Sequence, residues 1–180
     1  MKRKFFTEFS NAFETLILML TYLDQDQLNT KPKSTSGTEN EDALTSGQIG
    51  DHLYKSYSVL ETLNGKTSPA NRPIDAKAIG IRETFLDFNS KMKSPEFIVP
   101  TQELVAKDYL LTNLKERTDE ILEFVRTKDL SLLCLDFELP NAGTLTRLEW
   151  LHFISVHTQR HNYQLQNLID SLPTKQSLLP

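Results

Sequence analysis

Apolar side chains recur at helical spacing along four long segments of this 180-residue chain. A period of about 3.6 residues places them on one face of a helix, whereas a half-buried strand alternates apolar and polar residues. The predicted helices run from about Lys4 to Asp24, from Thr45 or Ser46 to Asn64, from Thr101 to about Val125, and from about Leu145 to Asp170. Because each helix has one apolar face to bury, the sequence predicts an all-α four-helix bundle.

Local signals mark the ends of two of these helices. A hydroxyl from Thr45 or Ser46 can cap the second helix, and Asn64-Gly65 favours its end because both residues tolerate the left-handed conformation. Thr101 is the predicted cap of the third helix.

The connection between the second and third helices is long and extends from Gly65 to about Pro100. The apolar residues that keep a helical period within it are Ile81, Phe85, Phe88 and Met92. They predict one short extra helix that packs on the bundle. A long crossover lets the two helices it joins run parallel, whereas a tight turn forces them antiparallel. The predicted order is therefore up-down-down-up.

The composition is that of an ordinary globular chain, with 38% hydrophobic and 24% charged residues. We expect one domain over residues 1–180, with a flexible loop at about 30–44 and a C-terminal tail at about 173–180. A net charge of −4 with mixed signs offers no basic surface, so no nucleic-acid partner is expected. No segment approaches the roughly 20 apolar residues of a membrane span, so no membrane partner is expected either. A single cysteine, Cys134, excludes an internal disulfide and fits a cytoplasmic location.

Two histidines of the last predicted helix lie on the same side of it. His157 and His161 are four residues apart, so their rings lie about 40° apart around the helix and one turn apart along it. They share that side with apolar residues and therefore face the bundle interior. His52 is on the apolar face of the second helix, whereas His152 lies about 140° away from His157 and is left outside. Spacing alone fits a metal site and a pair of hydrogen-bonded core histidines about equally.

The residues around these histidines resemble the DinB/YfiT-like superfamily. The matching residues of the closing segment are Pro140, Gly143, Thr146, Glu149-Trp150, His157, Arg160-His161 and Gln164-Leu165. The segment Gln48-Ile49-Gly50-Asp51-His52-Leu53 is similar to the one that carries the first histidine of that family, and KMKSPEFIVP also resembles members of the group. The resemblance covers nearly the whole chain in the expected order.

The resemblance implies a bundle with up-down-down-up order, often dimeric, and a three-histidine site for nickel or zinc. It places His52, His157 and His161 in the ligand positions. Three nitrogen ligands leave a coordination position open for water or a thiolate. The implied activity on a small-molecule substrate is thiol-dependent transfer with a low-molecular-weight thiol cosubstrate. The alternatives are metal-dependent hydrolysis and a non-catalytic bundle that acts as a sensor or an interaction protein.

Three further polar residues lie near the predicted ligands. Gln48 and Gln164 are each one turn from a histidine and are candidates to orient a ligand, with a packing role as the alternative. Arg160 is a candidate for substrate binding, although a solvent-facing position or a structural ion pair is favoured.

Other residues near the histidines are interpreted as structural. Glu149 is interpreted as a helix-start carboxylate and Trp150 as a core residue. Asp51 points elsewhere on its helix. Cys134 is interpreted as buried and inert, because no basic neighbour lowers its pKa.

Overall fold

The structure is a computed structural model that describes residues 2–32, 43–90, 92 and 94–172. Most of the predicted flexible loop at about 30–44, and the predicted tail at about 173–180, lie outside the described residues. None of the helices in the described ranges is both long and apolar enough to cross a bilayer.

The architecture is all-α, as the periodicity predicted. The helices are α1 (Lys2–Tyr22), α2 (Gln25–Asn29), α3 (Ser46–Ser56), α4 (Val59–Asn64), α5 (Ala78–Leu86), α6 (Lys107–Thr127) and α7 (Arg147–Ser171), with a 3₁₀ turn at Glu96–Ile98. Two short strands, β1 (Thr67–Ser68) and β2 (Leu133–Cys134), form an antiparallel pair. The bundle consists of α1, α3 with its continuation α4, α6 and α7.

Contacts between α1 and α7 show that these two helices run parallel. Phe5 at the start of α1 contacts His152, with ring centroids 4.3 Å apart. Seven residues further along α1 and ten residues further along α7, the Asn162 side chain donates a hydrogen bond to the Ala12 carbonyl at 2.8 Å. Since residue numbers rise together in the two helices, their directions agree.

Contacts between α1 and the other two long helices show the opposite direction. Lys107 at the start of α6 bonds the Thr21 carbonyl at the end of α1, and Arg126 at the end of α6 lies over the ring of Phe6. Along α3, Gly50 lies against Leu20 near the end of α1, and Tyr57, directly after α3, contacts Phe13 near the middle of α1. The order is thus up-down-down-up, as predicted.

Close approach of three helices depends on Gly50. A Cβ atom at this position would lie 2.7 Å from Leu110 Cδ2 of α6 and 3.1 Å from Leu20 Cδ1 of α1. Such distances are shorter than van der Waals contact, so a side chain here would push the helices apart. The absence of a side chain lets α3 sit deep between α1 and α6.

The predicted start of the third helix was wrong, because α6 begins at Lys107 rather than after Thr101. The Thr101 backbone is held by α3 instead: its N–H donates to Asp51 at 2.7 Å and its carbonyl accepts from Gln48 at 2.9 Å. The Val105 N–H likewise donates to Asn29 of α2. The Thr101 carbonyl and the Val105 N–H would have formed the first hydrogen bond of a helix capped at Thr101, and both are bound to other elements instead.

The other long helices also differ in their bounds. The first helix ends at Tyr22, and a separate short helix, α2, follows with Asp24 as its cap. The second predicted helix is divided into α3 and α4 by a turn at Tyr57 and Ser58, where the Ser58 N–H bonds the carbonyl three residues back. Tyr57 is buried and its hydroxyl shares a hydrogen bond with Thr158 of α7 at 2.7 Å.

The extra helix in the crossover is present but shorter than its apolar stripe. It ends at Leu86, so Phe88 and Met92 lie beyond it. The guanidinium of Arg160 on α7 donates hydrogen bonds to the carbonyls of Phe85, Asp87 and Ser90. Arg160 thereby binds one carbonyl in the last turn of α5 and two carbonyls in the turn that follows it.

Candidate metal centre

Three histidine side chains from two helices meet inside the bundle. His52 comes from α3, and His157 and His161 from α7. Their exposed fractions are 3%, 6% and 9%, so all three rings are buried. The Nε2 atom of His157 lies 3.2 Å from Nε2 of His52 and 3.1 Å from Nε2 of His161. The three residues form the one group of potential ligands found within the described ranges, with ligand atoms that all lie within 4.8 Å of one another.

Hydrogen bonds on the far side of two rings decide which nitrogen carries the proton. Nδ1 of His52 lies 2.8 Å from the Ile98 carbonyl oxygen, and Nδ1 of His161 lies 2.7 Å from Oε1 of Gln164. Both partners can only accept, so in each neutral ring Nδ1 is the donor and Nε2 carries a lone pair. These two lone pairs face the His157 ring.

A cation satisfies this arrangement better than a proton does. A proton on Nε2 of His157 would be donated to one of the two facing lone pairs and would leave the other without a donor. Nitrogen ligands about 2.0–2.1 Å from a tetrahedral zinc ion lie roughly 3.3 Å apart. The observed separations of 3.2 and 3.1 Å agree with that value. The donor set therefore fits one divalent ion with three imidazole ligands.

Burial keeps the three imidazoles in the neutral form that a metal requires. It lowers the pKa of His52 and His157, the latter well below its ordinary value, with the charges of His161, His52 and Arg160 adding to the effect at His157. For His161, burial and then His52 lower the pKa to about 3. Neutral rings lose no proton when they bind an ion, so binding does not compete with protonation near neutral pH.

A cleft of about 1490 Å³ gives access to this centre. The three histidines line it, together with residues of α5, the 3₁₀ turn and the segment from 137 to 142. Phe153 and Phe85 flank His157, with ring centroids 5.2 and 5.9 Å from it. The ring of Phe153 is nearly parallel to that of His157, at 13°. The cleft therefore gives a small molecule access to the three imidazoles.

The three polar candidates near the ligands have different positions. Gln164 contacts His161 directly and holds its ring. Gln48 contacts none of the three histidines: it forms a capping box with Thr45 and bonds the Thr101 carbonyl. Arg160 lines the cleft, yet its guanidinium is bound to three carbonyls and its exposed fraction is 7%, so the expected solvent-facing position was wrong.

Two of the residues interpreted as structural, Glu149 and Cys134, lie in structural positions, and His152 lies outside the cluster. His152 packs on Phe5, away from the three histidines. Glu149 caps the start of α7 and binds Arg72. Burial raises the pKa of the Cys134 thiol to about 11, which suppresses the reactive thiolate.

Two features of the site carried different signals in the sequence. Phe153 is one helical turn before His157, so the same spacing argument that paired the histidines could have found it. The Ile98 carbonyl carried no signal, because a backbone acceptor is common to every residue and only the tertiary structure places it.

No protein-family model and no curated protein matches this sequence. Among solved structures, the chain is similar to YfiT from Bacillus subtilis, which is described as a probable metal-dependent hydrolase with an unusual four-helix bundle topology. The two share 19% sequence identity, the match covers 94% of this chain and 86% of YfiT, and the TM-score is 0.55. At this identity the likeness concerns the fold. The chain therefore has the DinB/YfiT-like four-helix-bundle fold that its sequence resemblance implied.

Proposed function

We propose that this protein is a metal-dependent enzyme that holds one divalent ion, nickel or zinc, through His52, His157 and His161. The observation that carries the proposal is the convergence of these buried imidazoles, two of them with Nε2 lone pairs fixed by hydrogen bonds, at the floor of an open cleft. Three protein ligands with access from solvent are typical of catalytic sites, whereas structural sites are closed by four protein ligands. A non-catalytic interaction protein has no need of that access, whereas a sensor is distinguished from an enzyme by its lack of turnover.

When bound, such an ion acts as a Lewis acid and lowers the pKa of a water or thiol at its open position. The residues of the chain orient the imidazoles and limit their contact with water. The Ile98 carbonyl and Gln164 hold two imidazoles in one tautomer, and Phe153 covers a face of His157. Apolar walls strengthen the electrostatic interactions of whatever reacts there.

Thiol-dependent transfer is the leading reaction. Among the described residues that line the cleft, one has a carboxylate side chain. This residue is Glu61, which is exposed on α4. Metalloproteases of the H-E-x-x-H type place a glutamate beside the metal as general base. A thiol needs less help, because its ordinary pKa is far below that of water. A low-molecular-weight thiol that attacks a small electrophile therefore suits this site.

Hydrolysis is the second candidate, and the description of YfiT as a probable metal-dependent hydrolase favours it. Both candidates use the same three ligands. They differ in the nucleophile, so one set of assays separates them.

Metal content tests the proposal. Protein purified without a polyhistidine tag is expected to hold close to one equivalent of nickel or zinc after loading, by elemental analysis. His157→Ala removes the central ligand and is expected to lose the ion, whereas His152→Ala, outside the cluster, should retain it. Less than about one tenth of an equivalent in the loaded wild type would contradict the metal site.

The loaded protein is then assayed with a panel of thiols and electrophiles, and with esters and amides in the absence of thiol. Turnover that requires a thiol and is lost in His157→Ala supports transfer, and thiol-independent turnover supports hydrolysis. A fully loaded protein that turns over neither class would favour the sensor.

The resemblance also predicts a homodimer, and the single cysteine fits a cytoplasmic location; we retain both as proposals. Light scattering should give a mass of about twice 20.7 kDa. A mass of one chain at micromolar concentration would contradict the dimer.

A further inference from the structure

The cleft carries more aromatic surface than three metal ligands require. Its described lining includes six aromatic residues besides the histidines: Phe85, Phe88, Phe97, Phe137, Trp150 and Phe153. Phe153 contacts Phe85 at 5.0 Å and Trp150 at 5.6 Å between ring centroids, both nearly perpendicular. Trp150 in turn lies 6.0 Å from Phe137. A continuous aromatic wall thus leads from His157 towards the mouth.

Rings at the mouth remain in contact with water. Phe97 and Phe137 lie against each other at 5.7 Å, with exposed fractions of 59% and 37%. Phe88 and Met92, also in the lining, are 44% and 40% exposed. Covering such apolar surface is favourable by roughly 25 cal/mol per Å². A ligand that bridges the metal centre and the mouth would cover these side chains.

The cationic groups in the described lining are already engaged. Lys77 Nζ donates to the carbonyls of Ala142 and Thr144, and the Arg160 guanidinium is bound to the end of α5. The third charged side chain in the described lining is the exposed carboxylate of Glu61. These hydrogen bonds direct the donors of Lys77 and Arg160 to backbone carbonyls without neutralising either charge, so a direct ion pair with an anionic ligand would compete with them, and the Glu61 carboxylate would repel the anion.

We propose that this cleft binds an uncharged small molecule with an aromatic or bulky apolar group, seated against Phe153, Phe137 and Phe97. The identity of the reacting end rests on the proposed function, because that end would lie at the three histidines. The apolar contact does not require the metal, so it is testable by itself. In the enzyme, the ligand would be the electrophilic substrate.

Binding is measured with N-phenyl-naphthylamine, an uncharged probe whose emission rises in apolar surroundings. Trp150 is the single tryptophan of the chain and lines the cleft, so quenching of its emission by energy transfer to the probe provides a second readout. Both titrations use the full chain after metal removal by chelation and again after reloading with zinc. Probe binding to the metal-free protein would support the apolar contact even if the protein were found to bind no metal.

The variant Phe97→Ala/Phe137→Ala removes the exposed rings and is expected to weaken probe binding at least about fivefold. Tyr109→Ala is the matched control, because Tyr109 is 67% exposed on α6 and lies outside the cleft lining; its affinity should stay within about twofold. Should the double variant fail to fold, as judged by circular dichroism, Phe97→Ala alone serves.

Competition distinguishes an uncharged ligand from an anionic one of the same shape. Phenylbutanol is expected to displace the probe from the metal-free protein at a concentration at least about fivefold lower than phenylbutyrate. Equal or better displacement by phenylbutyrate would overturn the proposal. So would no probe binding, or wild-type affinity in the variant that lacks the mouth rings.

Discussion

Each imidazole of the metal centre depends on a partner at its other nitrogen. Ile98 offers a carbonyl to His52, and Gln164 offers its side-chain oxygen to His161. The carbonyl belongs to the 3₁₀ turn in the crossover, whereas Gln164 is on the same helix as its histidine. Partners of this kind fix the tautomer and ring orientation and raise ligand basicity. Loss of either hydrogen-bond acceptor should reduce metal affinity, although all three ligands remain.

Gln164→Leu removes the acceptor at Nδ1 of His161. We expect it to weaken zinc binding about tenfold, measured by competition with a chelator of known affinity, because the ring loses its orientation. Gln164→Glu keeps an acceptor and should restore most of the affinity. Gln166→Leu, two residues on and exposed, is the control. Unchanged affinity in Gln164→Leu would show that the hydrogen bond does not support the metal site.

At the scale of elements, α3 reaches the centre because it packs closely on two neighbours. Gly50 lies two residues before His52, at the contact with Leu20 and Leu110. A displacement of α3 at this point would move His52 relative to the pair on α7. Helix packing and ligand geometry are therefore coupled through one residue without a side chain.

Gly50→Ala is expected to lower the free energy of unfolding by about 1 kcal/mol in urea titrations. Overpacking costs about 1–3 kcal/mol, and the better helix propensity of alanine offsets up to about 1 kcal/mol of this. Gly80→Ala in α5 is the matched control, since a Cβ there meets no atom within 4 Å. The control should gain stability by about 0.5–1 kcal/mol. A gain in both variants would mean that the Gly50 contact relaxes without strain.

At the scale of the whole molecule, Glu149 joins the crossover to the last helix. It is fully buried, accepts two hydrogen bonds from Arg72, and accepts from the backbone N–H groups of Lys77 and Thr146. Burial alone would raise its pKa, but the hydrogen bonds from Arg72 and from the two backbone groups outweigh burial and hold the pKa below its ordinary value of 4.5. The wall of the cleft contributed by α5 follows this anchored segment directly.

Glu149→Gln should lower the free energy of unfolding by about 3 kcal/mol at pH 7, because it leaves Arg72 without its charged partner. A folded pKa below the unfolded one means that the stabilisation is complete above pH 4.5 and is lost as the pH falls through the lower, folded value. The difference between wild type and variant should therefore shrink in acid. Glu123→Gln, at an exposed site, is the control. A difference that does not change with pH would contradict the lowered pKa.

Helical periodicity in the sequence determined the all-α class, the four helical segments of the bundle and the inward side of His157 and His161, because the spacing of residues on a helix is a local property. Helix order was also predictable, since a long crossover permits parallel neighbours. The start of α6 at Lys107 was not, because Asp51, Gln48 and Asn29 bind backbone that a local cap signal at Thr101 had assigned to a helix.

The tertiary structure brings His52 into contact with His157 and His161 of α7. Spacing in the sequence left that third position open, and only the family resemblance placed His52 in it. The close contact at Gly50, the Ile98 carbonyl and the aromatic cleft all join residues far apart in the chain. Distances of this kind depend on how the helices pack, and periodicity along one helix carries no information about them.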